Sequence, residues 1–195
     1  MKTPYNEIVN IASIGSQTNP ISLNEILRKA NDEQLTPAAQ NKERVLFLGI
    51  DVQQDFMDNG ALGVPGAHGD VERMTQFIYN NMDKITNIAV SIDTHTPHQI
   101  FHPCWWIDEN GNNPAPYTPI TLADLDSGKY RAVIYPRQSR DYVEHLEKDG
   151  KKTLCVWSYH CLQGTSGAAF ENQFANMIYF HSVAKKAVTQ RLVKG

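Results

Sequence analysis

Ile88-Ala89-Val90-Ser91-Ile92-Asp93-Thr94-His95 runs from a short apolar stretch straight into a carboxylate and an imidazole. The first five residues have the near-continuous apolar character of a strand buried on both faces of a parallel sheet. Asp93 and His95 then fall at its carboxyl end, the edge where open α/β sheets collect their ligands. Two positions apart on an extended segment, they project to the same face. Taken alone, this triplet suits a hydrogen-bonded core histidine equally well. Leu154-Cys155-Val156-Trp157-Ser158-Tyr159-His160-Cys161 repeats the pattern, with an apolar run delivering His160. One carboxylate and two imidazoles at strand ends predict a divalent metal with open coordination positions. His98 and His102 lie close by in sequence.

Outward from this strand, residues 45–50 form another near-continuous apolar run, again the signature of a strand buried on both faces, followed by a loop containing Gly60, Gly63, Gly66 and Gly69. Asp70 is the expected cap of a helix whose apolar residues, Val71, Met74, Phe77, Ile78, Met82 and Ile85, fall on one 3.6-residue stripe. Strand, helix and strand make a βαβ unit, which should be right-handed. Residues 94–136 are aromatic- and Pro-rich with little periodicity, and a loop that long is usually functional. Ser139 is the expected cap of a further helix closed by Gly150, and residues 153–157 and 188–193 read as the third and fourth strands. Phe170, Phe174, Met177 and Ile178 mark the helix between them. The predicted class is α/β, a three-layer doubly wound parallel sheet of Rossmann-like type.

Residues 1–43 read as an amino-terminal arm and 44–195 as the domain. Leu23, Ile26 and Leu27 predict a short helix in the arm, capped by Ser22 or Asn24, and Thr36-Pro37 opens a linker. The arm could cover a neighbouring subunit, which leaves a homo-oligomer open.

The chain has 195 residues, 41% hydrophobic and 20% charged, with a net charge of -3 and no Lys/Arg stripe. A nucleic-acid footprint is therefore not expected. Lys148, Lys151 and Lys152 are interrupted by Glu147 and Asp149, as on a solvated helix end. No run approaches the about 20 apolar residues needed to span a bilayer, and the amino terminus lacks a signal-peptide core. Three cysteines, Cys104, Cys155 and Cys161, have no paired spacing. A cytoplasmic protein without membrane partners is the expectation.

Two more residues can carry chemistry. Asp51 is the first residue past the strand at 45–50 and can act as a general base, although an Asp there is more commonly a turn cap. Asp55 is assigned the cap role. Lys194 ends the last apolar run; beside Asp51 it would stay charged and could stabilise developing negative charge.

Ile50-Asp51-Val52-Gln53-Gln54-Asp55-Phe56 with Gly60-Ala61-Leu62 resembles the opening motif of the isochorismatase-like cysteine hydrolases. Asp93-Thr94-His95, together with residues 157–167 (Trp157, His160, Cys161, Gly164, Thr165, Gly167), is similar to the nicotinamidases, whose stretch reads W-P-x-H-C-x-x-G-T-x-G. Leu192-Val193-Lys194-Gly195 resembles the segment with their catalytic lysine. The resemblance runs from about residue 45 onward. It implies Asp51 as the base that takes a thiol proton and Lys194 as the neighbouring cation. It implies Asp93, His95 and His160 as ligands of a divalent metal, zinc first, with iron or manganese also used. Phe56 and Trp157 would flank the pyridine ring of nicotinamide or a related small amide, and His102 could be a further ligand.

The family's nucleophilic cysteine lies downstream of its lysine, so the resemblance also implies a domain whose carboxy-terminal part is missing and a chain inactive by itself. Residues 121–152 exceed what compact nicotinamidases carry there. Cys161 has no nucleophilic role in the matched motif and Cys155 lies in an apolar strand; Cys104, in a Pro- and Trp-rich loop, stays open by sequence, and a thiol without an adjacent base is a poor nucleophile. The alternatives are a non-catalytic metal- or ligand-binding module of the same origin, and a hydrolase in which His102 joins a metal that activates water directly.

Overall fold

The computed structural model describes residues 1–195. In chain order the elements are α1 (Leu23–Asn31), β1 (Leu46–Gly49), α2 (Ala67–Asn80), β2 (Asn87–Asp93), β3 (Trp106–Asp108), β4 (Pro119–Ile120), α3 (Leu122–Asp126), β5 (Tyr130–Ala132), α4 (Pro136–Lys148), β6 (Leu154–Cys155), α5 (Asn172–Ala184) and β7 (Gln190–Lys194). They fall into two compact units, residues 1–94 with 163–195, and residues 95–162. The fold is α/β with a parallel sheet. No helix is long and apolar enough to cross a membrane.

The first unit is built on a three-stranded parallel sheet ordered β1-β2-β7. Its register pairs Gly49 with Val90 and Asp93 with Lys194. Ile88 and Val90 join Val71 and Ile78 of α2 and Phe174, Met177 and Ile178 of α5 in one core. Gly49 is needed there, because a Cβ would lie 2.8 Å from Phe174 Cζ. The run at 45–50 was expected to be buried on both faces. Leu46, Leu48 and Ile50 are instead 60%, 48% and 64% exposed, because α2 and α5 pack only on the side of Phe47 and Gly49.

Residues 1–43, expected as an arm, supply Ile8, Val9, Ile26 and Ala30 to this core. Glu171 fixes the junction: its buried carboxylate accepts the Gln173 and Phe174 N–H groups at the start of α5 and the Gly15 N–H at 3.1 Å. Burial raises its pKa, with the three donors pulling the other way. At the far end of α5, the buried Lys185 donates to Asp83 O and Asn41 Oδ1, which ties down the linker. Asp70 does not cap α2; Asp58 does, accepting the Gly66 and His68 N–H groups at 2.6 and 2.8 Å.

The second unit packs Trp106, Ile120, Val143, Leu154 and Val156 between two antiparallel pairs, β3-β5 and β4-β6, and α3 and α4. The run at 153–157 was expected as the third strand of the parallel sheet. It pairs antiparallel with β4, because a turn at residues 115–118 brings Thr118 and Pro119 alongside, and Val156 N–H donates to Thr118 O at 2.9 Å. Ser139 lies inside α4, where its hydroxyl accepts from Trp105 Nε1; Pro136 at the first helical position starts the helix.

Candidate active site

β1 ends at Gly49, and Asp51 turns the chain with φ +54°, a left-handed conformation that Asp, after Gly and with Asn, adopts more readily than other residues. Ser91, on neighbouring β2, holds it there. Asp51 N–H donates to Ser91 Oγ at 2.9 Å, and the Ser91 hydroxyl donates to Asp51 Oδ1 at 2.5 Å. The other carboxylate oxygen, Oδ2, is 3.0 Å from Lys194 Nζ, and the same ammonium is 3.1 Å from Asp93 Oδ1. The parallel register produces this contact, since Asp93 and Lys194 are partners at the ends of adjacent strands. Partial burial pulls the Lys194 pKa down, but the two carboxylates outweigh it and hold the ammonium above its ordinary value. The cation is therefore permanent at neutral pH.

Gln53 holds the backbone of Asp93 on both sides. Its Nε2 donates to Asp93 O at 2.8 Å and its Oε1 accepts from Asp93 N–H at 2.7 Å, while Nε2 also reaches Ala168 O. Gln53 and Ser91 are the two positioning residues that sequence reasoning missed. Both are polar residues beside apolar runs in the sequence, but neither is a titrating or metal-ligating type, so neither carries a chemical signal. Phe56 sits on the short 3-10 turn Gln54–Phe56 and lines a cavity of about 360 Å³ with Asp51, Val52, Met57, Val71 and Met74. Asp55 Oδ1 accepts the Ala61 N–H of the following loop at 3.4 Å, and its carboxylate lies against Gly167, where a Cβ would approach Oδ2 to 2.1 Å.

In the second unit, His95 N–H donates to Cys161 O at 3.0 Å. The His95 and His160 rings are 4.8 Å apart, edge to face. His160 Nδ1 is 2.7 Å from Ser158 O. With Nδ1 as the donor, Nε2 is the lone-pair nitrogen, the arrangement that orients metal-ligating histidines. Asp93 closes β2 in the first unit, and His95 and His160 belong to the second; all three residues are buried. A carboxylate and imidazoles are the ligand types that suit a divalent cation.

His102 lies outside that group, its ring 5.8 Å from His95 and 6.1 Å from His160. Its Nδ1 is 3.0 Å from Pro97 O, and its buried Nε2 has no hydrogen-bond partner. Burial pushes its pKa down, so the ring is neutral. His98 packs only edge-on against Trp105. Trp157 is held by its N–H to Phe101 O at 2.7 Å and is 38% exposed.

All three cysteines belong to the second unit. Cys104 Sγ donates to Pro97 O, Cys155 has its pKa raised by burial, and Cys161 is fully buried.

No protein-family model and no curated protein sequence matches the chain. Among solved structures, the fold is similar to that of the yeast nicotinamidase Pnc1p bound to the inhibitor nicotinaldehyde, at 18% identity and a TM-score of 0.49 over 78% of this chain. It is also similar to a nicotinamidase/pyrazinamidase from Acinetobacter baumanii, at 20% identity and a TM-score of 0.41 over 69% of this chain, which is 47% of that one. A pyrazinamidase of Pyrococcus horikoshii in complex with zinc matches 66% of this chain and 45% of its own, at 21% identity and a TM-score of 0.36. The chain spans 57% of the length of the yeast enzyme.

Proposed function

We propose that these residues form the binding and acid–base part of a nicotinamidase-type amidohydrolase of the isochorismatase-like cysteine hydrolases. The substrate is nicotinamide or a related small amide, converted to the acid and ammonia. The observation that carries the reading is Lys194 Nζ held between Asp51 and Asp93, at 3.0 and 3.1 Å. It links a candidate base to a candidate metal ligand through one fixed cation.

In this reading Asp51 takes the proton of the attacking thiol, and the Lys194 ammonium beside it offsets negative charge developing at the amide. Ser91 fixes which oxygen of Asp51 faces Lys194. Asp93, His95 and His160 would hold a divalent ion, zinc by preference, which would supply Lewis acidity toward the substrate ring. Phe56 and Trp157 flank the ring. A cysteine thiol that has given its proton to Asp51 attacks the amide carbon, Asp51 returns that proton to the nitrogen so that ammonia leaves, and water hydrolyses the thioester to release the acid and the thiol. Since Cys104, Cys155 and Cys161 are engaged or buried, these 195 residues do not turn over by themselves.

The state of the cysteines also favours a second reading, a metal-binding module without hydrolysis. Ammonia release from nicotinamide separates the readings. The zinc-loaded chain should release no more than its Lys194→Ala variant, while a variant given a cysteine beside Asp51 should release ammonia. Release by the 195-residue chain well above the Lys194→Ala variant would overturn the assignment of roles. No release by the cysteine-bearing variant would favour the non-catalytic module.

A further inference from the structure

Ala115-Pro116-Tyr117-Thr118 closes a turn in which Thr118 N–H donates to Ala115 O at 3.2 Å. Proline at the second position and a positive φ at the third are the marks of a type II turn, whose third position calls for Gly or Asn. Tyr117 occupies it with φ +68°. A bulky residue in the left-handed region is strained, and persists only where its surroundings hold it. Two contacts do so. Tyr117 N–H donates to Val156 O at 2.5 Å, and the Tyr117 ring stands 5.9 Å from the Trp157 ring at an interplanar angle of 89°. The strain does not serve burial, since Tyr117 is 59% exposed.

We propose that Tyr117 is a specificity-determining residue that forms, with Trp157, a two-walled aromatic corner for a flat heteroaromatic carboxamide. The inference rests on the functional reading above, in which Trp157 flanks the substrate ring. The perpendicular rings give it a geometric basis. A planar ring lying parallel to Trp157 stands perpendicular to Tyr117, so it can stack on one wall and meet the other edge-on, the two favoured aromatic arrangements. A saturated ring of similar size gains neither. The corner therefore selects aromatic over aliphatic amides.

The test uses the zinc-loaded 195-residue chain, with nicotinamide and cyclohexanecarboxamide as probes in titration calorimetry. Tyr117→Gly keeps the backbone conformation accessible while removing the ring. It should weaken nicotinamide binding about fivefold and leave cyclohexanecarboxamide unchanged. Tyr117→Phe should bind nicotinamide within about twofold of the parent. Nuclear Overhauser contacts between nicotinamide and Tyr117 ring protons are expected in the parent chain. Unchanged nicotinamide affinity in Tyr117→Gly, without such contacts in the parent, would overturn the corner and leave the functional reading standing. A parent chain that binds neither amide would remove both.

Discussion

Lys194 Nζ lies 3.0 Å from Asp51 Oδ2, and only the parallel pairing of β7 with β2, and of β2 with β1, makes that possible. The same nitrogen is 3.1 Å from Asp93 Oδ1. Lys194→Ala leaves two carboxylates facing each other without a cation. Because Lys194 is about half exposed, the expected loss is modest, about 1 kcal/mol in urea denaturation, and smaller at high salt. A loss that does not depend on salt would point to packing of the stem instead.

Ser91→Ala removes both the hydroxyl that donates to Asp51 Oδ1 and the acceptor for Asp51 N–H. A buried, doubly used hydroxyl is worth more than an average hydrogen bond, and Asp51 at φ +54° depends on it. A destabilisation of about 1–2 kcal/mol is expected, read from the urea midpoint. Ser91→Thr, which keeps the hydroxyl, should recover most of it.

Metal content divides the histidines. His95→Ala and His160→Ala should lose zinc on dialysis against a weak chelator, as measured by elemental analysis of the recovered protein. His98→Ala should retain it. His102 is neutral, with a buried Nε2, but lies outside the three-residue group, so His102→Ala should retain more metal than either of the first two.

A pH effect follows from His181. This histidine is buried and its pKa is lowered, first by desolvation and then by the charge of Lys185, with the bond from Nε2 to Ile85 O opposing both. Below the unfolded value of about 6.5 the unfolded chain takes up a proton that the native ring resists. This contribution to stability is therefore full above pH 6.5 and is lost as pH falls through the lowered native value. His181→Gln keeps a donor toward Ile85 O and cannot titrate. Its urea midpoint should fall less between pH 7.5 and 5.5 than that of the parent chain.

Gly167→Ala tests the packing behind Asp55. Its Cβ would lie 2.1 Å from Asp55 Oδ2, so the short carboxylate must move. A loss of about 1–3 kcal/mol is expected in thermal or urea unfolding. An unchanged midpoint would mean that Asp55 has room to turn away.

Much of the site was legible because its residues end apolar runs. Asp51, Asp93 and Lys194 are brought together by register alone, and a parallel sheet with short strands allows few registers. His160 was legible for the same local reason, as the residue after an apolar run, although that run belongs to an antiparallel pair. The misreading of residues 153–157 has a simple origin: Leu154-Cys155-Val156 is equally apolar in either sheet, and its partner is set by the distant turn at Tyr117. The caps were misread because the true cap of α2 is Asp58, which reaches the helix across a glycine loop and leaves no spacing signature. The core role of Ile8 and Val9 was hidden too, since two apolar residues in a polar stretch carry no periodicity.

The central claim is that Asp93, His95 and His160 hold an ion that in turn helps to hold a small aromatic amide. Titrating nicotinamide into the chain with and without zinc, and into the zinc-treated His160→Ala variant, tests it most directly. Saturable binding only in the zinc-loaded parent chain is the predicted result. Binding of equal strength in the zinc-free chain or in His160→Ala would contradict it.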